Sequence, residues 1–182
     1  GQPYKGSGIG YRYATFNKYG LEVTVGNFYE QFGQGLSFRS YEERYLGVDN
    51  AMDGVRLKFT PDTGIVLKGF IGQQRFGFEN GASKLSAGQG IVRGFDAEVS
   101  LVEAWPRFFP KWGEKGHNLV LGGSFVSKFQ SDKNSQLVLP ENVGVWAGRL
   151  NYTNAKWNVY AEYAHKINDP NLSNGFIYKD GQ

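Results

Sequence analysis

A chain of 182 residues has the size of one domain, and its 20 basic and 17 acidic side chains are spread evenly, so the net charge of +3 forms no nucleic-acid patch. Cysteine is absent, which excludes a disulfide frame and thiolate or cysteine-metal chemistry. No apolar run approaches the ~18 residues of a membrane helix, yet a mean hydropathy of -0.45 is compatible with a membrane barrel, where only alternate residues face lipid. The 26 Gly, 14 Phe and 11 Tyr against 6 Pro predict an antiparallel all-β protein with glycine at its bends.

The first strand is expected over residues 9–16, with Ile9, Tyr11, Tyr13 and Thr15 on one face and Gly10, Arg12 and Ala14 on the other. Asn17-Lys18-Tyr19-Gly20 closes a hairpin, because Asn and Gly tolerate the positive φ of tight turns. In the returning strand, residues 21–30, Leu21, Val23 and Val25 alternate with Glu22, Thr24 and Gly26. A period of two gives one apolar and one polar face. Residues 31–52 form a long polar connection.

The third strand, 53–60, repeats the alternation: Val55, Leu57 and Phe59 against Arg56, Lys58 and Thr60. Pro61-Asp62-Thr63-Gly64 is a β-turn into the fourth strand, 65–74, and a Gly-rich loop follows over 75–89. The fifth strand covers 90–102, with Phe95, Ala97, Val99 and Leu101 opposite Asp96, Glu98 and Ser100. Residues 103–116 break the pattern with two prolines and four large aromatics, Trp105, Phe108, Phe109 and Trp112. They fit either an interfacial aromatic patch at the hydrocarbon–headgroup boundary or a folded-back loop with its own apolar cluster. The sixth strand is 117–130, a third polar loop is 131–142, and strands 143–152 and 157–166 form the last hairpin around the turn 153–156.

Eight strands of 8 to 13 residues match the roughly 9 to 11 needed to cross a bilayer at a tilt. Four-residue turns join strands 1–2, 3–4 and 7–8, whereas loops of 12 to 22 residues join 2–3, 4–5 and 6–7. That alternation is expected of an antiparallel up-and-down transmembrane β-barrel, with turns at one membrane face and loops at the other. In such a barrel Arg12, Glu22, Arg56, Lys68, Asp96, Glu98, Lys128, Arg149 and Glu162 line one lumen, where opposite charges pair. The alternative is a soluble β-sandwich that binds carbohydrate on its Tyr and Trp. Its closed core would hold Leu21, Val23, Val25, Val55, Leu57, Phe59, Phe95, Val99, Trp146, Leu150, Trp157 and Val159.

Catalytic chemistry has little to build on. The two histidines, His117 and His165, stand at no spacing that demands a triad, although a barrel lipase would need one beside Ser124 or Ser127. Glu42, Glu43, Asp49 and Asp53 could collect a Ca2+, or form a solvated loop with Arg44 as counter-ion. The glycines of 33–35 and 88–90 permit bends and are not phosphate loops, since no GKS/T follows. No enzymatic activity, metal or cofactor is expected.

The stretch GNFYEQFGQGLSFRSYEERYLGVDNAMDGVRLKF (26–59), with the later GIVRGFDAEVSL (90–101), resembles an uncharacterised family of porin-like outer-membrane β-barrel proteins of the Bacteroidetes type. The resemblance is specific over residues 8–101. It implies the bacterial outer membrane as location, with membrane lipid and other outer-membrane or periplasmic proteins as partners and no catalytic residues to carry over. Family members are longer, and this chain begins GQPYKGSGIG without a signal peptide and ends KDGQ after a polar tail rather than on an aromatic strand end. The expectation is therefore one domain forming a stretch of a larger barrel.

Overall fold

The computed structural model describes residues 10–43, 45–78, 85–87, 90–131, 140–171 and 176–178. Eight strands, Tyr13–Lys18 (β1), Leu21–Phe28 (β2), Met52–Phe59 (β3), Ile65–Phe78 (β4), Ile91–Ser100 (β5), Asn118–Phe129 (β6), Asn142–Thr153 (β7) and Asn158–Ile167 (β8), form one antiparallel sheet. Each pairs with its neighbour in sequence, so the expected all-β, up-and-down order is present. A short strand, Leu85–Ala87, folds back on β4, so part of the expected loop 75–89 is a hairpin. Ile9, Arg44, residues 79–84, 88–89, 132–139 and 172–175, and the tail 179–182 lie outside the described residues.

Tight turns lie together at one end of the sheet. The first is shorter than expected, because Asn17 and Lys18 stay paired with Glu22 and Leu21 and leave only Tyr19 and Gly20 unpaired. Their φ values of 50° and 78° are both positive, as a two-residue hairpin requires, and a Cβ on Gly20 would lie 2.4 Å from the Thr60 carbonyl oxygen. At the turn after β3, Asp62 accepts the Thr63 amide at 2.7 Å. After β7, Asn154 Oδ1 accepts the amides of Lys156 and Trp157, both at 2.8 Å. The fourth connection at this end is the aromatic segment with short helices Leu101–Ala104 (α1) and Pro110–Glu114 (α2): the expected fifth strand stops at Ser100, so Leu101 and Val102 are helical and not strand, and α2 lies where irregular chain was expected. Pro110 at the first helical position has no N–H to leave unsatisfied.

The two faces of the sheet differ in chemistry and in exposure. Cross-strand register puts Val25, Val55, Leu57, Phe95, Leu121, Phe125, Trp146, Leu150 and Val159 on one face. On it Val25 is 53 %, Phe95 54 % and Phe125 49 % exposed. The core lies on the other face. There the β2–β3 connection folds inward over the sheet, as two small hairpins made of Gln31–Phe32 with Phe38–Arg39 and Glu42–Glu43 with Val48–Asp49. Phe28, Phe32, Met52, Phe70, Val92 and Val126 cluster beneath it, with Phe38 packed on Phe70 at 4.4 Å between ring centroids. Each such side chain taken out of water contributes roughly 1.5–3 kcal/mol.

The expected closure into a barrel is not made by these eight strands, since β1 and β8 are not paired and the sheet is open. An eight-stranded barrel has an interior just wide enough for side chains. Here the ionic face carries two folded hairpins of backbone as well as side chains. Gly94 shows how close that segment sits: a Cβ there would lie 2.3 Å from the Phe70 ring and 2.8 Å from Phe32. Gly94→Val is expected to cost about 1–3 kcal/mol by overpacking. It should also expose residues 29–50 to protease before the strands, which unfolding midpoints and limited proteolysis read separately.

Candidate functional site

The charged side chains of the inner face converge because paired strands place them at matching heights. Glu98 of β5 is in register with Gly122 of β6, and Gly122 with Arg149 of β7. Arg149 reaches over Gly122 to the strand beyond, a path open only because a Cβ at Gly122 would sit 2.4 Å from Arg149 Nε. Its guanidinium then grips Asp96 in bidentate fashion, Nη1 to Oδ1 at 2.7 Å and Nη2 to Oδ2 at 2.9 Å, and also meets Glu98 Oε2 at 3.0 Å. Arg149 and Asp96 are buried, while Glu98 is half exposed. Bidentate, charge-assisted bonds are the strong class, and burial leaves neither ion free to lose its partner.

A second group ties the inner segment to the sheet. Glu30 receives Lys68 Nζ at 2.9 Å and stands 3.6 Å from Arg56 Nη1, and Arg56 also pairs with Glu22. Lys68 donates in addition to the Gln31 carbonyl at 3.1 Å. Further across the sheet Ser37 and Ser124 share a hydrogen bond of 2.8 Å. On the last strand Glu162 accepts the Gln34 amide at 2.9 Å and the Tyr160 hydroxyl at 2.6 Å. Near the loop end Asp49 pairs with Arg75 and accepts the Tyr29 hydroxyl at 3.0 Å. Burial first, and then the Asp49 carboxylate, raise the Tyr29 pKa above its ordinary 10.0.

Of the nine charged residues expected to share a surface, Glu22, Arg56, Lys68, Asp96, Glu98, Lys128, Arg149 and Glu162 lie on the inner face by register. Lys128, at the loop end of β6, is exposed. Arg12 stands apart: it precedes β1, is 64 % exposed and faces Asp53 at 3.9 Å, outside the network. Glu30, Ser37, Gln34 and Gly122 belong to the site and were not expected there. Glu30 reads as a strand end and Ser37 and Gln34 as exterior loop, because nothing local says that a polar connection turns inward. Phe32 and Phe38 were the available signal, two phenylalanines in a connection rich in glycine and charged residues.

The aromatic quartet divides. Trp105, Phe108 and Trp112 are exposed, whereas Phe109 is half-buried with its ring 5.9 Å from Trp112. Neither histidine meets Ser124, whose hydroxyl is with Ser37. His117 Nδ1 lies 2.8 Å from the Tyr152 hydroxyl, and the His165 ring packs 5.6 Å from Trp146. Glu42, Glu43, Asp49 and Asp53 do not gather, and among the described residues no group of three such ligands is placed to hold a metal. What the inner face offers is a set of fixed, paired charges that fasten a folded segment, with no activated nucleophile among the side chains described above.

Two outcomes follow from this geometry. Arg149→Met leaves Asp96 buried without its counter-ion and is expected to cost about 3–5 kcal/mol, most of it recovered when Asp96 is also replaced by Leu, as denaturant midpoints of the four-protein cycle would read. For Tyr29 the neutral form is the favoured one in the folded chain. Its contribution is in place below pH 10.0 and is lost as pH rises through the higher folded value, so Tyr29→Phe should remove a late step from the ultraviolet tyrosine titration.

No curated protein and no solved structure matches the chain. A family model does, over residues 1–182: the chain belongs to a family of unknown function, DUF6029.

Proposed function

We propose that the chain is a wall segment of a bacterial outer-membrane β-barrel, porin-like in build. Its apolar face meets lipid and its charged face looks into a solvated interior. The observation that carries this reading is the inversion of the sheet. A row of Val, Leu, Ile, Phe and Trp side chains across its strands lies open, while the ionic face is covered by the chain's own inner segment. A water-soluble protein rarely leaves an apolar surface of that extent uncovered. The carbohydrate-binding sandwich needs those residues in a closed core, whereas Val25, Leu57, Phe59, Phe95, Trp146, Leu150, Trp157 and Val159 are exposed. The described helices include none long and apolar enough to cross a membrane, which leaves crossing by strands as the route this reading uses.

One observation favours a structural subunit over a freely conducting pore. The inner segment is fixed to the middle of the sheet through Glu30 to Lys68 of β4 and to the last strand through Gln34 to Glu162, and in this reading it lies in the space a solute would use.

Leu121→Arg tests the membrane reading, because the two readings predict opposite signs. On a lipid-facing strand it costs about 2–4 kcal/mol near the bilayer midplane and lowers stable insertion into vesicles. On a soluble sheet it raises solubility without detergent and leaves the fold intact, and that result would end the proposal. In planar bilayers the intact protein is expected to give few or no channel steps. A Glu30→Gln/Glu162→Gln variant should give more, because both anchors of the inner segment are weakened.

A further inference from the structure

The turn end of the sheet carries a second surface of different chemistry. From α1 to β6 the chain runs through successive tight turns, with Trp105 N donating to Leu101 O at 3.1 Å, Phe108 N to Trp105 O at 3.0 Å, Trp112 N to Phe109 O at 3.1 Å and His117 N to Trp112 O at 2.9 Å. That winding leaves Trp105, Phe108 and Trp112 exposed by 44 %, 79 % and 40 %. Between them it presents Arg107, Lys111 and Lys115, also exposed, and none of the three is in an ion pair among the described residues. With Glu103 and Glu114 the segment has three cations against two carboxylates.

The segment is seated on the outward side. Trp112 lies 5.9 Å from His117 and 6.4 Å from Tyr152. Tyr152 is in register with Leu119, and Leu150 with Leu121, so Tyr152 continues the apolar face that carries the membrane reading. Exposed aromatic rings flanked by unpaired cations, at the rim of an exposed apolar face, match the boundary where hydrocarbon gives way to lipid phosphate. Tryptophan rings prefer that depth, and long basic side chains reach outward from it.

We propose that residues 103–117 are an anchor for anionic phospholipid. Trp105, Phe108 and Trp112 enter the headgroup boundary, and Arg107, Lys111 and Lys115 pair with lipid phosphates of the leaflet at the turn end. The anchor rests on the membrane reading above and adds a lipid preference to it. Neutral phospholipid satisfies the rings alone; acidic phospholipid satisfies rings and cations together.

The test uses the chain with Trp146→Phe and Trp157→Phe, which leaves Trp105 and Trp112 as the emitters. It is reconstituted in phosphatidylcholine vesicles holding a minority of brominated phosphatidylglycerol or of brominated phosphatidylcholine. Quenching is expected to report a preference for phosphatidylglycerol of about five-fold or more, the effect of one basic side chain near an anionic surface. The preference should fall toward unity in R107Q/K111Q/K115Q, and also in the parent protein as salt is raised, which needs no further substitution. Equal quenching by the two lipids in a protein that is inserted overturns the anchor and leaves the membrane reading standing. No quenching by either lipid overturns both.

Discussion

The arrangement depends on one constraint, the placing of alternate side chains on opposite faces of a strand. Across the strands that rule puts Val25, Leu57, Phe95, Leu121, Trp146 and Leu150 on one side and Glu22, Arg56, Asp96, Glu98, Arg149 and Glu162 on the other. A two-faced sheet of this kind must cover one face, and this chain covers the ionic one. Covering it is feasible because the ions are paired with each other and with the inner segment, so desolvation is met by Coulomb attraction and hydrogen bonds. Among the described residues, much of the opposite face is left exposed. It is the surface on which the functional reading stands.

The covering segment owes its position to small apolar and polar contacts acting together. Phe32 and Phe38 enter between Phe28, Met52 and Phe70, which removes their rings from water, while Glu30, Gln34 and Ser37 find partners on β4, β8 and β6. Neither set alone fixes a folded loop of this length, given the backbone entropy lost in ordering it. Together they hold it against strands far apart in the sheet.

Much of this could be read from residue order. The alternation in Leu21 to Gly26 and Val55 to Thr60 located β2 and β3, and the tight turns after β1, β3 and β7 followed from Asn, Asp and Gly. Which charged residues share a surface was also legible for eight of nine, since parity along each strand is a local property. Arg12 escaped because its strand presents the other face: Ala14 and Phe16, which share its parity, pair with Val25 and Val23 of the apolar side. The inward fold of residues 29–50 was not legible, because its cause is the shape of a surface assembled from strands on both sides of it. The reach of Arg149 across Gly122 was hidden for the same reason: the glycine that opens the path and the arginine that uses it are joined only by register. The helical turns were hidden for two reasons: Leu101 and Val102 continue the alternation of β5, and the aromatics and prolines of 105–112 read as loop.

The inner segment also has a mechanical consequence. Since it is fastened to β4 through Glu30 and to β8 through Glu162, it ties the middle of the sheet to its last strand, and the two cannot move apart without breaking one of those contacts. Releasing that tie would let β8 move relative to β4, so the mutual placement of two strands four apart in the sheet is held by a stretch of chain that belongs to neither.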